Sequence, residues 1–162
     1  MAFLAFAGGV LLGLGTVYVL VSNGLALGSV LGAAHFYGVA PLLWSFVSPH
    51  GYLELTCIVI AGAAGLMLGD AMLRPGLLLR REALARAARR AVELVLGAAP
   101  VLIVAGLIEG FVSPSDLPVA AKLVIGPLTG AVLYALLLSV GRPGAEFRQA
   151  GLWQRTRFGR AV

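Results

Sequence analysis

Charge is scarce in this sequence. Only 12% of its 162 residues are Asp, Glu, Lys or Arg, against roughly 25% in an average soluble domain. Acidic side chains number seven, histidines two and cysteines one. The single cysteine, Cys57, lies inside an apolar run, so the chain has no intramolecular disulfide and no zinc or redox spacing. His50-x-x-x-Glu54 by itself is a weak metal signal, and no metal site and no cofactor is read from the sequence. Serines lie at helix ends without a positioned base, so hydrolytic chemistry finds no support and the chain is read as non-enzymatic. The start, Met1-Ala2-Phe3-Leu4, has no positive n-region and no small-residue cleavage site at the right distance. The first apolar run therefore reads as a retained span rather than a cleaved signal.

What is present is apolar surface in long stretches: 60% of the residues are hydrophobic, and the mean hydropathy is +0.98. A helix needs about 20 predominantly apolar residues to cross the hydrocarbon layer, and several runs here reach that length. In lipid the backbone must satisfy its own hydrogen bonds, which leaves helices or a closed barrel. The runs are continuous rather than alternating, so helices are the solution. The fold class predicted is all-α, a polytopic transmembrane helix bundle of about four spans plus a re-entrant or fifth segment.

The first run, from about Ala2 to Val21, ends at the turn-compatible triplet Ser22-Asn23-Gly24 and reads as span one. Residues 25 to 48 carry His35, Gly38, Pro41 and Trp44 and read either as a full span or as a re-entrant hairpin packed inside protein. Ser48-Pro49 reads as an N-cap followed by proline at the first helical position, opening span two over Tyr52 to Leu73. Residues 77–93 form an amphipathic pattern with Glu82, Arg86, Arg89 and Glu93 on one face, leading into span three, about Ala91 to Val112. The turn Ser113 to Pro118 precedes span four, about Val119 to Val140, with a kink expected at Gly126-Pro127. Residues 1–140 thus form the transmembrane domain and 141–162 a basic tail.

Orientation follows from the arginines. One block holds Arg74, Arg80, Arg81, Arg86, Arg89 and Arg90; the other holds Arg142, Arg148, Arg155, Arg157 and Arg160. Two spans separate them, so both lie on one side, and the positive-inside rule makes it cytoplasmic. The net charge of +5 belongs to these flanking blocks and not to a surface with interleaved aromatics, which argues against a nucleic-acid partner. Arg80, Arg81, Arg86, Arg89 and Arg90 are the expected contacts to anionic lipid or to a cytoplasmic partner. Asp70 lies four residues before Arg74, spacing for a pair at the headgroup boundary.

Small residues recur four apart at Gly9/Gly13, Gly24/Gly28/Gly32, Ala61/Gly65/Gly69 and Gly126/Gly130. Such strips let helix backbones approach closely, either within the chain or between copies and membrane partners. The bilayer and other membrane proteins are accordingly the partners expected.

Ionisable groups at membrane depth are the remaining signal. On the boundaries above, His50, Glu54, Glu109 and Lys122 fall at one level, at the end of the bundle opposite the arginines, and Asn23 joins them if residues 25 to 48 re-enter rather than cross. A charge facing lipid costs about 2.5 to 3.5 kcal/mol on insertion scales, so these groups are expected to face inward and pair. The layer is either a structural lock, in which Glu54 or Glu109 pairs with Lys122, or an ion, proton or substrate site.

Four segments carry a family resemblance: Asn23-Gly24-Leu25-Ala26-Leu27-Gly28, Pro49-His50-Gly51-Tyr52-Leu53-Glu54-Leu55, Ala61-Gly62-Ala63-Ala64-Gly65 and Ile108-Glu109-Gly110-Phe111-Val112-Ser113. With them the sequence resembles the stage II sporulation protein M (SpoIIM) family over about Gly8 to Ser139, and Pro-His-Gly-x-x-Glu-Leu is the most specific element. The resemblance implies a multi-span protein of the cell membrane. In spore formers the namesake acts with two peptidoglycan-degrading partners during engulfment, as a membrane scaffold rather than an enzyme. Relatives occur in organisms that do not sporulate, some in gene clusters for circular bacteriocins beside ABC-transporter components. Typical members carry an additional N-terminal span and soluble segment that this sequence lacks, so a partner contact residing there is not expected here. Asn23, His50, Glu54 and Glu109 occupy the family's polar motif positions. The resulting expectation is a non-enzymatic component or scaffold of a larger membrane assembly linked to cell-envelope remodelling. The alternative is a transporter or channel subunit, ABC-exporter associated, with its polar site on the outer side.

Overall fold

A computed structural model describes residues 1–140; the basic tail, 141–162, lies outside the described residues. Helices dominate and no strand occurs among the described residues. In chain order they are α1 (Ala2–Ala7), a 3-10 turn (Gly8–Val10), α2 (Leu14–Phe36), α3 (Ala40–Leu73), α4 (Arg80–Leu107), a π-helical turn (Ile108–Val112) and α5 (Val119–Val140). Four of them, α2, α3, α5 and α4 with its π-turn, are long and apolar enough to cross a membrane. The Cα positions group into two units, Met1–Gly130 and a second from Ala131 onward. In the second, the described part is the last stretch of α5, where the Ser139 hydroxyl returns to the Leu136 carbonyl at 2.8 Å.

Within the first unit α3 is the hub, with α1, α2 and α4 all packed on it. Little of this contact comes from large side chains. Glycines bring backbones together: a Cβ on Gly9 would collide with the carbonyl of Gly65, and one on Gly69 would come within 2.5 Å of the Gly13 nitrogen. Close approach is the available source of attraction where lipid is as apolar as leucine. The strips Gly9/Gly13 and Gly65/Gly69 therefore mesh with each other inside one chain. Gly62 receives the Leu20 side chain, and Gly126 lies against the Ser48 carbonyl.

α4 lays Leu84, Ala87, Ala88, Ala91 and Val95 over Ala64 and Leu68 of α3, where Phe6 of α1 also packs, while Glu82, Arg86, Arg89 and Glu93 stay exposed. The amphipathic stretch and span three are one helix, uninterrupted through Pro100. Cys57 is buried at this seam, its Sγ 3.7 Å from the Ala98 carbonyl oxygen. Asp70 and Arg74 do pair, at 4.0 Å and both largely exposed, a contact of small energetic weight.

The N-terminal third differs from the sequence reading. Ser22-Asn23-Gly24 is no turn; it lies in the interior of α2. The reversal falls earlier, at Leu11 to Gly13, where Leu12 and Gly13 have φ of 56° and 82°. A positive φ at leucine is costly outside glycine. It is held by what it permits, the docking of α1 and the 3-10 turn on Gly65 and of the bend itself on Gly69. Turn-compatible residues do not break a helix in an apolar setting, because leaving the helix would expose backbone groups that only the helix satisfies.

Residues 25 to 48 are not one crossing helix but a broken one. They straddle the junction of α2 and α3, broken at Tyr37–Val39 with Gly38 at φ 72°. The proline that opens α3 is Pro41, in its first turn, and Pro49 is internal. Ser48 is therefore not an N-cap. α5 likewise continues unbroken through Pro127.

Candidate functional site

At the end of the bundle remote from Arg74 to Arg90, three elements meet through hydrogen bonds. His50 lies on α3, one residue after Pro49, and is 4% exposed. Its Nδ1 is 3.1 Å from the Ser113 hydroxyl oxygen, and which of the two donates depends on the imidazole tautomer. Phe46, one turn earlier on α3, meets the ring edge-on with centroids 5.9 Å apart. Ser113 sits where it does because of the π-turn. Its N–H reaches back five residues to the Ile108 carbonyl at 3.0 Å, so α4 ends wider than an α-helix would. Single π-turns of this kind concentrate at functional positions.

Lys122 supplies the third element. It is the one lysine among twelve basic residues and stands in the first turn of α5, 8% exposed. Its Nζ donates to the carbonyls of Ser113 at 2.8 Å and Ser115 at 2.6 Å. The ammonium thus satisfies carbonyls just beyond the C-terminal end of α4 and its π-turn, where a cation is favoured, while standing near the N-terminus of α5, where it is disfavoured. No carboxylate lies within ion-pair distance of it among the described residues.

Of the five residues placed at one level by the sequence, the structure joins His50 and Lys122, both through Ser113. Asn23 is half-buried in the interior of α2. Glu54 on α3 and Glu109 on the π-turn are exposed. None of these three makes a hydrogen bond or ion pair to His50 or Lys122 among the described residues. The pairing of Lys122 with Glu54 or Glu109 is replaced by bonds to two carbonyls. Ser113 and Ser115 were legible only as turn residues, because both contribute to Lys122 a backbone oxygen that every residue type possesses.

The described residues hold no cluster of three or more His, Cys, Asp or Glu side chains placed to share a metal ion. The arginine-rich stretch opens α4, with Arg80, Arg81, Arg86, Arg89 and Arg90 all exposed. Arg86 and Arg90 face Asp70 and Arg74 of α3 across a shallow depression.

Comparison with known proteins matches the chain to the family described as Stage II sporulation protein M, over residues 1–114. The matched region runs from Met1 through the π-turn to Pro114 and stops short of Lys122. No curated protein and no solved structure matches.

Proposed function

Because the chain belongs to the stage II sporulation protein M family and is a multi-pass membrane protein of that family, we propose that it acts as a non-enzymatic component of a larger membrane assembly. The assembly lies in the cell membrane and serves cell-envelope remodelling, with the arginine-rich start of α4 in the cytoplasm, where the positive-inside rule puts it.

One observation carries this reading, the exposed carboxylate of Glu54. It lies sixteen residues from Asp70 along α3, about 24 Å at 1.5 Å per residue. With Asp70 at one headgroup boundary, Glu54 is still inside a hydrocarbon layer about 30 Å thick. It nonetheless faces away from this chain's interior, and no hydrogen bond or ion pair of its own is found among the described residues. A carboxylate turned toward lipid costs about 2.5 to 3.5 kcal/mol on insertion scales, which a donor from a neighbouring membrane protein removes.

Surface for such a neighbour is available on α2, of whose most apolar window only 6% is buried. Its strip Gly24/Gly28/Gly32 has no atom within 4 Å of any added Cβ, the smooth face a second helix needs.

The test is co-purification in mild detergent from the native host. Glu54→Leu and Gly28→Leu are expected to keep the helical content of the protein and to lose the membrane proteins recovered with the unsubstituted chain. Recovery of the same proteins with both variants overturns the reading.

A further inference from the structure

Lys122 is more than nine-tenths buried, carries its charge without a carboxylate, and uses two of its three N–H groups on carbonyls among the described residues. Carbonyls satisfy the donors but leave the unit charge uncompensated, a costly state for a group out of water. Beside it lies a cavity of about 780 Å³, within the range of small-molecule sites. Lys122 lines this cavity together with Ser113 and Ser115, whose carbonyls fix the ammonium. The rest of the lining is mostly apolar and comes from the end of α2 and the start of α3, with Val30, Leu42 and Phe46 among its residues. The site therefore combines one cation with a largely hydrocarbon-like lining.

We infer that this cavity binds an anionic amphiphile, with its phosphate or carboxylate on the Lys122 ammonium and its alkyl chain along the α2–α3 wall. A small inorganic anion would leave the apolar wall uncovered, and a neutral lipid would leave the charge uncompensated. Both halves of the ligand are thus specified by the two halves of the site. The same chemistry is offered by an anionic phospholipid of the surrounding bilayer and by a free single-chain amphiphile such as a fatty acid.

The full-length protein in neutral detergent is titrated with dodecyl phosphate, laurate, dodecanol and inorganic phosphate, with binding read from the thermal unfolding midpoint. Dodecyl phosphate and laurate are expected to raise the midpoint, and dodecanol and inorganic phosphate to leave it in place. Lys122→Met should weaken binding of dodecyl phosphate by about tenfold or more, the loss of one charge-assisted contact. Val30→Trp fills the cavity, leaves Lys122 in place and should weaken binding as much; it decides the question if Lys122→Met does not fold. Native mass spectrometry after release from phosphatidylglycerol or phosphatidylcholine nanodiscs separates the sources. Retention of phosphatidylglycerol that Val30→Trp abolishes identifies the bilayer lipid, and laurate binding without such retention identifies the single-chain source. Equal effects of dodecanol and dodecyl phosphate, or binding of dodecyl phosphate that survives Val30→Trp, overturn the assignment. An anionic lipid held only by the arginine-rich start of α4 gives that last result.

Discussion

His50 and Ser113 are 63 residues apart in sequence, and a 3.1 Å hydrogen bond joins their buried side chains. It ties the first third of α3 to the residue that follows the π-turn. Such a bond contributes about 0.5–1.5 kcal/mol net, and leaving one partner unsatisfied costs about 1–3 kcal/mol. His50→Ala and Ser113→Ala should each lower the unfolding midpoint in detergent. The double variant should lose less than the two separate losses combined, by roughly 0.5 kcal/mol or more. Strict additivity would show that the two side chains do not interact.

Lys122→Met removes the donor to the Ser113 and Ser115 carbonyls, and a loss of about 1–3 kcal/mol is expected. Glu54→Gln and Glu109→Gln touch exposed groups and should stay within about 0.5 kcal/mol of the parent for the isolated protein. Combining either with Lys122→Met should recover nothing. Recovery in the double variant would mean that a carboxylate, not two carbonyls, neutralises the lysine.

Glycines at contacts and glycines in open space should respond in opposite directions. Gly65→Ala places a methyl within 2.6 Å of the Ala5 carbonyl oxygen and at the Thr16 hydroxyl, overpacking that costs about 1–3 kcal/mol. Gly28→Ala meets nothing and gains helix propensity, up to about 1 kcal/mol. Thermal unfolding of both variants checks the contrast. Equal destabilisation would argue that α1 does not dock on α3.

Side assignment is checked with single cysteines in a background where Cys57 is replaced. Tyr37→Cys and Ser115→Cys are expected to react with an impermeant thiol reagent on intact cells, and Arg86→Cys to stay protected. Labelling at Arg86 alone would invert the bundle. Labelling at Ser115 without Tyr37 would contradict the α2–α3 junction.

The all-α class and the presence of helices long enough to cross a membrane were legible from apolar run length, because the hydrocarbon thickness sets that length and local detail does not. Their boundaries at the N-terminal end were not. Ser22-Asn23-Gly24 carries turn chemistry that a membrane helix absorbs, whereas the true reversal uses Leu12, a residue no propensity marks for positive φ. Spacing alone showed which glycines form strips, but not that Gly9 and Gly13 answer Gly65 and Gly69 while Gly24, Gly28 and Gly32 meet nothing. At the polar end, His50 and Lys122 announced themselves by being ionisable in apolar runs. Their common partner stayed hidden because it acts on Lys122 through its backbone and owes its position to a π-turn.

The meshing of α1 with α3 also fixes an order of events during synthesis. Gly9 cannot dock until Gly65 exists, 56 residues later on the chain, a delay of about 3–11 s at 5–20 residues per second. Through that interval Phe6 and the tight reversal behind it have no α3 surface to cover. The first helix made thus waits for the third before it has a surface to pack on.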